Sequence, residues 1–185
     1  MQYTKLILPS LFLFLSNLLL AQESIDQVKS INGLELSSSL ESLKSDLQLI
    51  TGDETIFQTH DYLARHVKRN LEIGVQEGIY LGHTFNIVNG TESPDLRLTY
   101  FADSLFKCRW TFDKQDFSNP KEVFTNFISH FSNKFGPATE TQFGDTFIWK
   151  GEVNRLMVNY YEGTIQIEWR DDIVETKTKE LFKGQ

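Results

Sequence analysis

Apolar residues recur at every second position in run after run: Leu96, Leu98 and Tyr100, then Phe106, Cys108, Trp110 and Phe112. The same pattern returns in Phe147 and Trp149, in Leu156, Val158 and Tyr160, and in Ile165, Ile167 and Trp169. Period two is the mark of a half-buried strand, whose side chains point alternately to opposite faces. The runs are joined by short turn sequences, Ala102-Asp103-Ser104 and Glu162-Gly163, so neighbouring strands are antiparallel hairpins. Between the two groups of strands lies a different period. Val123, Phe124, Phe127, Ile128, Phe131 and Phe135 form one helical stripe, opened by Asn119-Pro120 and stopped by Gly136-Pro137. Hairpin-linked strands with segregated helices predict an α+β fold, an antiparallel sheet with helices packed on one face.

The earlier part of the chain extends this reading. Ser38-Ser39-Leu40-Glu41 fits a capping box before a short helix striped by Leu40, Leu43 and Leu47. Ile79, Leu81, Phe85 and Ile87 alternate with polar residues and predict a strand with His83 facing inward. Thr55–His60 and Leu71–Val75 are expected as strands around a polar stretch, Asp61–Arg69. The order of short helix and strands, then long helix and strands, suggests two degenerate repeats.

Residues 1–21 read as a secretory signal. Lys5 precedes the apolar run Leu6–Leu20, and Ala21 is a small residue at its exit. The run is short of the about 20 apolar residues that span a bilayer, although an uncleaved anchor is the alternative. No cysteine follows it to carry an acyl anchor. The expected organisation is signal 1–21, one α+β domain over 22–170, and a charged tail over 171–185. The location is then periplasmic or secreted, with no transmembrane segment after signal removal.

The chain carries a net charge of −7, and one unit more negative once Lys5 is removed. That balance opposes nucleic acid and anionic membranes as partners. With 15 Phe, 6 Tyr and 3 Trp against 4 Pro, the composition favours an aromatic core over disorder. Cys108, the only cysteine, lies on an apolar strand face and cannot form an intramolecular disulfide.

Ile31-Asn-Gly-Leu-Glu-Leu-Ser37 before a short helix resembles the opening of exported bacterial α+β domains of unassigned role. Leu98-Thr-Tyr-Phe-Ala-Asp-Ser-Leu105 with Phe131-Ser-Asn-Lys-Phe-Gly-Pro137 resembles them too. The helix-then-sheet layout over residues 31–170 is similar to that of the β-lactamase inhibitory protein. It is also similar to the small lipoprotein of the outer-membrane β-barrel assembly machine. The resemblance implies a binding or scaffolding role without a cofactor. This chain departs from both, having neither a disulfide pair nor an acylated cysteine, and no site residue is carried over.

Chemistry-bearing constellations are sparse. His60, Asp61 and His66 are the nearest approach to an acid–base or metal cluster, but their spacing fits no common zinc pattern. Asp171-Asp172 could serve calcium only if a turn brought both to one side. Asn89-Gly90-Thr91 matches a glycosylation sequon that a bacterial export signal leaves without meaning. There is no phosphate loop, nucleophile elbow or paired-cysteine motif. Trp110, Trp149 and Trp169 fall on the apolar faces and read as core rather than as a sugar platform.

The hairpin registers place Arg97 opposite Arg109 and Thr99 opposite Lys107. They also set Arg155 opposite Arg170, Met157 opposite Glu168 and Asn159 opposite Gln166. Like charges across a ladder are unfavourable. Either nearby acids intercalate, or Arg97, Lys107, Arg109, Arg155 and Arg170 form a basic face for an anionic envelope partner. The expected function is an exported, non-enzymatic binding domain using an exposed sheet face, without cofactor or metal. The alternatives are an envelope hydrolase built on residues 51–78 and a carrier with an apolar cavity between helix and sheet.

Overall fold

A computed structural model describes residues 23–55 and 60–184. The segment expected as a signal therefore lies outside the described residues, as does most of the strand expected over Thr55–His60. The fold is α+β. Its centre is an antiparallel sheet of eight strands in the order β3-β4-β7-β8-β12-β11-β10-β9. The strands are β3 (Leu47–Leu49), β4 (Val75–Tyr80), β7 (Asp95–Phe101), β8 (Ser104–Phe112), β9 (Glu140–Gln142), β10 (Thr146–Lys150), β11 (Asn154–Tyr161) and β12 (Thr164–Asp171). Two small ribbons flank it, β1 (Ser30–Ile31) with β2 (Leu34–Glu35), and β5 (Ile87–Val88) with β6 (Thr91–Glu92). The sheet is two four-stranded meanders joined where β8 pairs with β12. The two groups of strands thus repeat as meanders, but the helix-then-strands order read from sequence does not, because a helix over Asp61–Glu72 separates β3 from β4.

Four α-helices complete the described residues: α1 (Leu40–Leu43), α2 (Asp61–Glu72), α3 (Pro120–Phe135) and α4 (Asp172–Lys183). Helix α3 starts on Asn119, whose side chain accepts from the Glu122 N–H, with Pro120 in the first turn, where its missing N–H costs nothing. It ends at Gly136, whose φ of +84° only glycine adopts easily. Phe124, Phe127 and Phe131 are buried against one face of the sheet, here called inner. Phe127 meets Phe112 at 5.1 Å between ring centroids, and Phe131 meets Trp149 at 5.8 Å. Trp110, Trp149, Trp169 and Cys108 all lie in this core, as their period-two positions predict. Burial also pushes the Cys108 thiol up, away from the reactive thiolate.

Several expectations need correction. Residues 172–183 are not a loose tail but helix α4, capped by Asp171, which accepts from the N–H groups of Ile173 and Val174. The helix forms because Val174, Thr178 and Phe182 share one side and Glu175 is aimed at the sheet's cations. It covers part of the outer face, over Lys107, Arg155 and Arg170, so helices occupy both sides of the sheet and not one. Asp61–Glu72 is likewise a helix, which takes Leu71 and Glu72 from the strand expected over Leu71–Val75, and the strand that follows begins only at Val75. The strand expected across residues 79–87 stops at Tyr80. Leu81 is exposed, and His83 points to solvent, where it meets Glu92 at 3.1 Å. The segment after residue 22 belongs to the core, because Ile25 and Val28 are buried.

A carboxylate fixes that segment. Asp26 accepts from the backbone N–H groups of Glu152, Val153 and Asn154 at 2.6, 3.1 and 2.7 Å, tying the segment after residue 22 to the β10–β11 turn. Burial would raise its pKa, but these three donors outweigh it and hold the carboxyl below its usual value. Gly151 is required there, since a Cβ would sit 2.3 Å from the carboxyl group.

Candidate functional site

The outer face is read from the register. One row runs Thr99, Lys107, Arg170 and Arg155 across β7, β8, β12 and β11. The next runs Arg97, Arg109, Glu168, Met157 and Ile148. A third runs Asp95, Thr111, Gln166, Asn159, Thr146 and Gln142, reaching from β7 to β9. The expected pairings Arg97–Arg109, Thr99–Lys107, Arg155–Arg170, Met157–Glu168 and Asn159–Gln166 are all present. A bulge between Thr99 and Tyr100 turns the expected three-residue β7–β8 loop into a two-residue one, Ala102-Asp103, with Phe101 opposite Ser104.

The like-charged pairs are resolved by intercalated acids. Arg170 meets Glu168 and Asp172 at 2.7 Å each, and Arg155 meets Asp172 at 2.9 Å. Lys107 meets Glu175 at 3.1 Å, and Arg109 lies 3.6 Å from Glu168. Arg97 is shared between Glu77 and Asp95 at 3.3 and 3.2 Å. Helix α4 supplies Asp172 and Glu175, and Glu175 is itself buried. Burial would raise the Glu175 pKa, but Lys107 and Lys179 outweigh it and hold the carboxyl below its usual range. The set Arg97, Lys107, Arg109, Arg155 and Arg170 is therefore not an open cationic face. Its charges are answered within the chain, and its deepest members lie beneath a helix that sequence reading left as a tail.

Where α2 and α4 approach the sheet they leave a cavity of about 310 Å³, lined by His66, Asn70, Thr99, Lys107, Arg109 and Phe182 among others. Phe182 closes one side of it. The Arg69 guanidinium lies 4.3 Å from the Phe182 ring centroid and donates to its carbonyl, while the His66 ring is at 4.8 Å. His66 and Arg69 of α2 thus hold the end of α4. His60 precedes α2, and Asp61 and His66 stand five residues apart on it, a spacing that turns side chains about 140° from one another. Among the described residues no group of three His, Cys, Asp or Glu is arranged to hold a metal ion. Asp171 and Asp172 are both committed, one to the α4 cap and the other to Arg155 and Arg170. The space between α3 and the sheet is filled by Phe124, Phe127, Phe131 and the core tryptophans.

The third row is different. Asp95 turns to Arg97, but Thr111, Gln166, Asn159, Thr146 and Gln142 have no side-chain hydrogen-bond partner among the described residues. Thr111, Gln166, Asn159 and Thr146 are half-buried and Gln142 is exposed, and the ion pairs that α4 makes with the sheet fall on Lys107, Arg155 and Arg170 of the first row. Tyr161, on the same face two residues beyond Asn159, is 70% exposed. Phe143, at the β9–β10 turn next to Gln142, is fully exposed and holds a φ of +53°, which a bulky residue rarely adopts. The Tyr160 N–H donates to the Asp145 carbonyl at 2.8 Å, so both aromatics stand at one end of the sheet. The sequence already paired Asn159 with Gln166. It gave no sign that β8 would join β12 and extend that pair into a row.

Compared with known proteins, the chain matches no family model, and no curated protein or solved structure matches it significantly.

Proposed function

We propose that this protein is an exported binding domain of the cell envelope that holds a macromolecular partner against the uncovered part of its outer sheet face. One observation carries the reading: the row Thr111, Gln166, Asn159, Thr146 and Gln142 presents amides and hydroxyls without side-chain hydrogen-bond partners among the described residues. Charged residues make up 23% of the sequence and are the cheapest way to solvate a free sheet face, yet this stretch of five strands has none in the row. Export is supported by the charged, apolar and small-residue order of residues 1–21. No described helix is long and apolar enough to cross a membrane.

The test is site-specific photo-crosslinking of the full chain in envelope extract. A photoreactive side chain replacing Asn159 should give a discrete adduct. The same group replacing Lys121, exposed on the far side of α3, should give none. Equal labelling from both positions, or none from Asn159, would remove this face from consideration.

A further inference from the structure

Resting on that reading, we infer that the outer face binds an uncharged glycan chain, laid across β8, β12, β11, β10 and β9 and stacked at its end on Tyr161 and Phe143. Amides and hydroxyls both donate and accept hydrogen bonds, as sugar hydroxyls do, whereas carboxylates only accept and ammonium groups only donate. Thr111, Gln166, Asn159, Thr146 and Gln142 lie directly across from one another. They therefore repeat at the strand spacing and cover about 19 Å in a line, enough for a short run of sugar rings. A peptide adding to the sheet would need a free edge and not a face.

The charge pattern also selects the ligand. Every cation expected to attract an anion is paired within the chain. The row itself is neutral from Thr111 to Gln142, so its complement is neutral too. Aromatic rings present an apolar, electron-rich face on which the C–H groups of a sugar ring can rest. Tyr161 shares the face of the row, and Phe143 stands fully exposed beside Gln142. Holding a bulky side chain in a left-handed turn where Asn or Gly would be unstrained costs stability, and the contact it offers is a use for that cost.

The experiment titrates isotopically labelled full-length protein with cellohexaose and with hexa-N-acetylchitohexaose, following backbone amide shifts. Saturable shifts should centre on Thr111, Gln142, Thr146, Asn159 and Gln166 for at least one of the two. Raised salt should leave them unchanged. Tyr161→Ala and Phe143→Asn, both at exposed positions, should keep the spectrum of the folded protein and weaken binding about tenfold each. Silence with both sugars at millimolar concentration would overturn the glycan, as would binding that ignores both aromatic substitutions. Shifts centred on Lys107 and Arg109 and abolished by salt would overturn it in favour of an anion. The two levels of the reading fail separately. If the sugars are silent but Asn159 still gives its adduct, the ligand class falls and the binding face stands; if both fail, both fall.

Discussion

Two rows of the same sheet face, about 13 Å apart along the strands, are built from opposite materials. Lys107, Arg170 and Arg155 lie beneath α4, and each has a carboxylate partner within 3.1 Å. Thr111, Gln166, Asn159 and Thr146 are half-buried and have no such partner among the described residues. The first row is strongly charged and looks from sequence like a binding surface, yet its charges are spent inside the chain. The second is chemically quiet and easily read as filler. Burying a cation is tolerable only when a counter-charge is buried with it, so charge near the helix reports on internal docking. An accessible surface keeps no such record, and its use has to be read from what it leaves unsatisfied.

Three substitutions press on this difference in order of size. The baseline is the inner face. Phe127→Ala should cost about 3–5 kcal/mol in denaturant melts, because a fully buried ring leaves a cavity. A cost near that of an exposed residue would mean that α3 is not part of the core, and the contrast between the two faces would collapse.

The covered row comes next. Glu175→Ala should cost about 2–3 kcal/mol, since it strands Lys107 beside a thinned-out set of acids at 10–16% side-chain exposure. The same carboxylate gives a sign for pH. Its folded-state pKa lies below the ordinary 4.5, so its contribution is full above that value and is lost as pH falls through the lowered one. Acid melts of the wild type should therefore show a loss of stability below about pH 4.5 that is shallower in Glu175→Ala. Parallel acid profiles would show that α4 is not held by this network.

The open row should be nearly silent. Gln166→Ala is expected to change stability by no more than about 0.5 kcal/mol, because its side chain has no hydrogen bond to lose among the described residues. A cost above about 1 kcal/mol would show that the amide is part of the structure and not free to receive a ligand.

Much of this fold is written locally. The α3 stripe, the hairpin partners and the inward tryptophans follow from periodicity and turn chemistry, and the structure holds them at the expected residues. The misses have physical causes. Helix α2 has no fully buried residue, so its Leu63, Val67 and Leu71 stripe is thin and easily lost among charges. The residues of helix α4 that are buried are Glu175 and Thr178, with Val174 and Phe182 only half-buried, and a buried carboxylate looks like surface until its cation is known. Period two ran on past Tyr80 to Leu81, but pairing with β7 ends at Ile79 opposite Arg97, and alternation alone does not record where a partner stops. The open row depends on the β8–β12 seam, which joins residues far apart in sequence. Only two of its five residues, the pair Asn159–Gln166, could be read from a turn.

The sheet's two margins bear on how the protein behaves at high concentration. An open sheet exposes rows of unpaired backbone groups that can recruit a second sheet. Here both outermost strands, Leu47–Leu49 and Glu140–Gln142, are only three residues long. Beyond them the backbone groups of the next strands are taken by other means. Ile50 donates to the Glu77 carbonyl, and the Gln76 amide folds over to the Ile50 carbonyl at 2.9 Å. On the far side Thr139 donates to the Ile148 carbonyl and its hydroxyl accepts from the Lys150 N–H at 3.1 Å. Neither margin offers a long, straight template, so the molecule resists stacking edge to edge into fibrils, a hazard for any eight-stranded sheet that does not close on itself.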